Sequence, residues 1–170
     1  MPTGAMGRLR LFVLSSSSQA AELRGYMEPM GIGSVKKFSK TEHPGVILAG
    51  NWSFRDQWGI WSSGQQASVI FDASSLPDRF SVVIQANVFP PVPSPKQTVR
   101  VSDESGNLLT ITNDQPNGEF TVKIQKSLTQ QTPWTSLKFD IENPISPREL
   151  GISSDRRKLG IRLVSLTLQE

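Results

Sequence analysis

The sequence predicts an all-β protein, a two-sheet β-sandwich of jelly-roll type with about nine strands. Three observations predict it. Apolar residues recur at period two in successive segments from residue 46 onward. Clusters of Gly, Pro, Asn and Asp separate those segments every ~8–12 residues. Helical spacing is confined to the first 31 residues. No internal repeat is visible, which argues against a propeller.

Residues 1–31 read as a leader or linker. The serine run at 15–18 offers a cap for a short helix through Ala20, Ala21, Leu23 and Tyr26, ended by Pro29 and Gly31. The sandwich domain is assigned to residues 32–170. A short apolar run at 46–49 lies between Pro44-Gly45 and Gly50-Asn51, and Ala67, Val69 and Phe71 then alternate with Ser68 and Asp72. The clearest strand follows: Phe80, Val82, Ile84, Ala86 and Val88 share one parity and point inward. The proline-rich stretch at 90–95 cannot sit inside a sheet, because proline donates no ladder hydrogen bond. It reads as a loop crossing between sheets. Val99 and Val101 start the next strand, and residues 103–107 turn it into the strand at 108–112. A second turn at 113–118 leads to Phe120, Val122 and Ile124, and Leu137, Phe139 and Ile141 form another inward face. The last segment is apolar at 159, 161 and 163 and then at 164, 166 and 168. That change of parity implies either a bulge or a central strand covered on both faces.

At 170 residues the chain suits one domain, which buries roughly two-thirds of its unfolded surface without a metal or disulfide staple. It has no cysteine, so thiolate metal sites, disulfides and a cysteine nucleophile are excluded. A net charge of +3 is small beside that of a nucleic-acid binder, and the basic groups at Lys36, Lys37, Lys40 and at Arg156, Arg157, Lys158 are scattered. No nucleic-acid partner is expected. Nor is membrane insertion, since no run approaches the ~20 apolar residues of a spanning helix. The apolar stretch at 11–14 is also shorter than the ~7–15 residues of a signal-peptide core. The chain as written reads as cytoplasmic, or as periplasmic if it is a fragment of a membrane-bound parent.

Residues suited to catalysis are few. His43 is the only histidine and sits in a loop before Pro44, away from anything like a nucleophile elbow. There is no phosphate-binding glycine loop and no Asp-x-Asp pair. No catalytic residue, cofactor or resident metal is assigned. Asp and Asn in the loops at 103–107 and 113–117 are oxygen donors of the type calcium takes, without an assembled site.

Two stretches stand out. Residues 50–64 read as a long loop and hold three of the four tryptophans, Trp52, Trp58 and Trp61, with Arg55 and Asp56 among them. Flat aromatic faces stack on the C–H faces of sugar rings while Arg, Asp and Asn bond hydroxyls. The same aromatics can instead bury themselves as a plug at the end of a sandwich. Both readings stand at this point. Trp134 has the parity opposite Leu137, Phe139 and Ile141, so it either points outward or marks an irregular strand start. The second stretch, 143–161, precedes the last strand. There Asp155 and Arg156, with Arg157 beside them, offer an ion pair or turn that pins the loop.

These stretches resemble a bacterial domain of unknown function appended to some glycosyltransferases and to membrane phosphoglycerol transferases of glucan and lipopolysaccharide assembly. The matching positions are Trp52, Ser53, Trp58, Gly59, Trp61, Ser62 and Gly64, followed by Ser146, Pro147, Glu149, Leu150, Gly151, Ser153, Asp155, Arg157, Leu159 and Gly160. Asn51 stands where that pattern has glycine, Arg55-Asp56 replace Pro-Glu, and residues 103–107 replace a Val-Asn-Gly turn. The resemblance covers residues 32–170 and implies a setting in surface-polysaccharide synthesis, with catalysis in another domain. The expectation is a non-catalytic carbohydrate-recognition module. Its ligand contacts would come from Trp52, Arg55, Asp56, Trp58, Trp61 and Trp134, and its partners would be a glycan and a glycosyltransferase or phosphoglycerol transferase domain. The alternative is a structural or oligomerisation module that orients such a domain.

Overall fold

The structure is a computed structural model that describes residues 27–41, 45–126 and 133–170. The helix expected around residues 20–26, and His43, lie outside the described residues. Among the described residues there are nine strands and no helix: β1 (Val35–Lys37), β2 (Ile47–Arg55), β3 (Ile60–Asp72), β4 (Arg79–Val88), β5 (Thr98–Asp103), β6 (Gly106–Thr112), β7 (Asn117–Gln125), β8 (Trp134–Ile141) and β9 (Leu159–Gln169). The all-β sandwich read from the sequence is the fold observed.

Strand β3 belongs to both layers. Residues from Gln66 to Asp72 pair with β8, whereas Ile60, Trp61 and Ser63 pair with β9. One layer is therefore β2-β3-β8-β5-β6, and the other is β3-β9-β4-β7 with β1 on β9 beyond the end of β3. The strand passes from one layer to the other at Gly64. Its φ is 140°, and a Cβ there would stand 3.0–3.1 Å from the Asn51 side chain.

The core lies between the layers and follows the alternation seen in sequence. Phe80, Val82, Ile84, Ala86 and Val88 of β4 share one cluster with Val69 and Phe71 of β3 and Leu137, Phe139 and Ile141 of β8. Each fully buried side chain of this size stabilises the fold by ~1.5–3 kcal/mol. Strand β9 resolves its change of parity with a bulge: Leu163 pairs with Ala86 and Ser165 with Gln85, leaving Val164 as the extra residue.

A second, smaller core lies on the opposite face of β2, β3 and β8. Ile47, Ala49, Ile70 and Trp134 pack there with Met27. Met30 enters the main core, and its backbone N–H donates to the Asp72 carbonyl at 3.2 Å. Packing thus reaches back into the segment that the sequence assigns to a leader or linker.

The proline-rich crossing leads from β4 in one layer to β5 in the other, as expected. Side-chain amides bond the carbonyls that the prolines leave without ladder partners. Asn113 Nδ2 donates to the carbonyls of Pro90, Val92 and Pro95 at 3.3, 2.7 and 2.9 Å. Gln97 Nε2 donates to those of Phe89 and Asn143 at 3.3 and 2.6 Å. This network holds Phe89 in place beside Trp61.

Candidate functional site

The tryptophan-rich stretch is a hairpin and not the long loop expected. Strands β2 and β3 run through it and only residues 56–59 turn. Register shifts between Gly50 and Trp52 and between Trp52 and Arg55 broke the period-two pattern that marks a strand. Asp56 closes the turn, its Oδ1 accepting the backbone N–H groups of Trp58 at 2.8 Å and Gly59 at 2.9 Å. A Cβ on Gly59 would overlap the Leu163 carbonyl oxygen, so the turn lies pressed against β9.

The second motif stretch clasps this hairpin. Asp155 pairs with Arg157, which corrects the expected Asp155–Arg156 pair. Side chains two apart in extended chain share a side, and Arg157 turns back so that its backbone N–H also reaches Asp155 Oδ1 at 2.9 Å. Arg157 Nε donates to both Asp155 oxygens at 3.1 and 3.0 Å, and Nη2 donates to Oδ2 at 2.7 Å. Arg156 is exposed. The Arg157 hydrogen bonds hold the Asp155 carboxyl below its ordinary range, and Asp155 in turn raises the Arg157 guanidinium.

Upstream, Ser146 and Glu149 form a reciprocal box around one turn of chain. The Ser146 N–H and hydroxyl donate to Glu149 Oε2 at 2.9 and 2.8 Å, and the Glu149 N–H donates to Ser146 Oγ at 3.1 Å. Lys158 binds the other carboxylate oxygen. The Lys158 hydrogen bond, followed by those from Ser146, lowers the Glu149 pKa to about 2. Three hydrogen bonds besides the strand ladder join the stretches: Arg157 Nη1 donates to Ser53 Oγ at 2.9 Å, the Ile161 N–H donates to Ser62 Oγ at 3.0 Å, and the Gly64 N–H donates to the Lys158 carbonyl at 2.9 Å. Much of the motif is thus a structural seam.

The tryptophans divide. Trp52 is half-buried, bonds the Ser68 carbonyl through Nε1 at 2.9 Å, and meets Phe139 edge-on with ring centroids 6.0 Å apart. Trp134 is 2% exposed, which corrects its place among the expected ligand contacts. Its parity does place it on the outer face of its layer, but Met27 and Ile47 cover that face there. It has no surface to offer a ligand. Arg55 is half-buried at the end of β2, in register with Ile60.

Trp58 and Trp61 differ from both. The Arg162 guanidinium lies 5.8 Å from the Trp58 ring centroid and 5.1 Å from that of Trp61. Such contacts are worth ~0.5–2 kcal/mol each. Trp58 remains 59% exposed, while Trp61 is braced edge-on by Phe89 at 6.0 Å. Arg162 Nε donates to Asn87 Oδ1 at 2.8 Å, and Asp56 Oδ2 lies 3.9 Å from Arg162 Nη1. The sequence reading missed Arg162, Asn87 and Phe89. A signal existed for two of them: Arg162 is the one charged residue amid the apolar run 159–168, and Asn87 is polar within the clearest strand.

Among the described residues, no group of three or more His, Cys, Asp or Glu gathers as a metal site. Of the loop residues with calcium-type donors, Asn113 is buried with its amide committed to carbonyls, and Asp103 Oδ1 accepts the Ser105 N–H at 2.8 Å. No helix among them is long and apolar enough to cross a membrane.

The family model described as a domain of unknown function, DUF7024, matches residues 41–170. The chain belongs to that family. The DUF7024 match starts after β1, so β1, Met27 and Met30 pack onto the domain from outside the matched residues. No curated protein matches the chain in sequence. Solved structures similar to this DUF7024 domain include CBM35 from Paenibacillus barcinonensis, at 9% identity and TM-score 0.46, covering 81% of this chain and 99% of that one. Another is the xylan-binding module CBM15, at 11% identity and TM-score 0.46, again covering 81% and 99%. A carbohydrate-binding module CBM36 in complex with calcium and xylotriose has 8% identity and TM-score 0.35, covering 86% and 96%. Likenesses this distant carry nothing about individual residues.

Proposed function

We propose that this domain is a non-catalytic carbohydrate-recognition module that serves surface-polysaccharide or glycan synthesis beside a glycosyltransferase or phosphoglycerol transferase domain. One observation carries the reading: the Trp58 indole is largely exposed and lies against the Arg162 guanidinium, whose other neighbours are the Asn87 carboxamide and the Asp56 carboxylate. An aromatic plate beside hydrogen-bonding side chains suits a sugar ring, whose C–H face stacks while its hydroxyls bond. Weak contacts of this kind gain effect when the module is tethered to the enzyme that extends the glycan, because tethering raises the effective concentration. The setting is drawn from the resemblance of the stretches at 50–64 and 143–161 to domains appended to such enzymes.

The test is intrinsic tryptophan fluorescence during titration with bacterial surface oligosaccharides. A saturable shift that disappears in Trp58→Ala and persists in Trp52→Phe is expected. Absence of any shift in the wild-type protein overturns the reading.

A second reading, a structural or oligomerisation module, draws on Phe54, which is 90% exposed near the end of β2. Sedimentation equilibrium decides it: self-association abolished by Phe54→Ser favours this reading, and a monomer at high concentration removes it.

A further inference from the structure

Strand register places four residues directly opposite one another across the layer. Trp61 of β3 faces Arg162 of β9, Arg162 faces Asn87 of β4, and Asn87 faces Asn117 of β7. Their side chains share the outer surface, because they bond in sequence. Arg162 lies over Trp61 and donates to Asn87 Oδ1, and Asn87 Nδ2 donates to Asn117 Oδ1 at 2.6 Å. We infer that the glycan site runs along this row, across the strands from Trp61 to Asn117, and takes an uncharged oligosaccharide. This inference rests on the carbohydrate reading and adds to it the path, the far-end residues and the ligand class.

Three strand spacings of ~4.8 Å make the row about 14 Å long, the reach of a short oligosaccharide rather than a single sugar. Trp58 and Trp61 stand at one end as the stacking surface. The other end offers hydroxyl chemistry. Both hydrogen bonds of the row run from donor to acceptor in one direction, so the exposed Asn117 carboxamide ends it with its oxygen taken and its N–H groups as the donors offered to a ligand. The next row carries the same amide and hydroxyl chemistry between two charges: exposed Lys37 of β1 lies opposite Ser165, Ser165 opposite Gln85, to which its hydroxyl is bonded at 3.2 Å, and Gln85 opposite Glu119. These positions sit on paired strands over a packed core, which holds the row in shape before a ligand arrives.

Charge selects the class. The only cation of the row, Arg162, is 22% exposed and is already faced by two indoles, the Asn87 carbonyl oxygen and the Asp56 carboxylate. Glu119, exposed two residues along β7 from Asn117, repels an acidic sugar at the far end. Within the row the Asn87 and Asn117 carboxamides, which both donate and accept, remain, and they match neutral hydroxyls.

Isothermal titration with β-1,3-, β-1,4- and β-1,6-linked glucose oligosaccharides, from disaccharide to hexasaccharide, tests the inference against oligogalacturonates of equal length. Affinity is expected to rise about tenfold with length until the row is filled. Asn117→Ala should weaken the hexasaccharide about threefold to tenfold and the disaccharide less, with Arg156→Ala as the unchanged control. If length-independent binding is lost in Trp58→Ala but untouched by Asn117→Ala, the row is overturned and the carbohydrate reading stands. Tighter binding of oligogalacturonates overturns the uncharged class. If no glucose oligosaccharide and no oligogalacturonate binds the wild-type protein, the row is overturned, and the carbohydrate reading stands or falls separately on the fluorescence titration with bacterial surface oligosaccharides.

Discussion

Arg157 reaches back across 104 residues of chain to donate to the Ser53 hydroxyl at 2.9 Å, while its other nitrogens clasp Asp155. This joint fastens the loop before β9 to the hairpin that presents Trp58. Arg157→Ala is expected to lower stability by about 1 kcal/mol, given a partly exposed pair. In a domain of this size that is roughly 2–4 °C in Tm. Arg156→Ala should stay within about 0.5 kcal/mol of the wild type. Thermal unfolding of both variants checks the contrast.

Acid should loosen the same loop. Glu149 and Asp155 both have lowered carboxyl pKa values in the folded protein, so each contributes stability above its unfolded value and loses it as pH falls. For Glu149 the window runs from 4.5 down to about 2. Tm is therefore expected to fall through that window, and Glu149→Gln should flatten part of the slope. A Tm profile measured from neutral pH into that window tests it.

Ser62 is fully buried, and its hydroxyl accepts the Ile161 N–H. Ser62→Ala leaves that backbone group without its partner, and the expected cost is ~1–3 kcal/mol in urea unfolding. Ser63→Ala, half-buried one residue on, is the comparison and should cost less.

Trp134→Ala empties the centre of the small core that packs Met27, and ~3–5 kcal/mol should be lost. Glycan affinity of the fraction that stays folded should not change. Denaturant unfolding and titration on one preparation separate the two effects.

The strands that follow strict alternation were legible because burial on one face is written into every second residue, as in β4 and β7. The change of parity in β9 was legible for the same reason, as either a bulge or a strand covered on both faces, and the register decides for the bulge. The start of β2 was legible as the apolar run at 46–49, but its second half was hidden because two register shifts after Gly50 erase the period. Trp134 shows the limit of parity, which gives the face of a sheet but not what a distant segment lays over it. Three of the site's partners, Arg162, Asn87 and Asn117, lie on different strands and meet only through register, which a linear pattern does not carry.

The four tryptophans give four indole N–H signals, and a two-dimensional 15N–1H spectrum during glycan titration reads each one separately. Saturable shifts are expected in the Trp58 and Trp61 indoles and in the Asn87 and Asn117 side-chain amides, with Trp52 and Trp134 still. Shifts confined to other residues, or none with any glycan, would contradict the proposed glycan site.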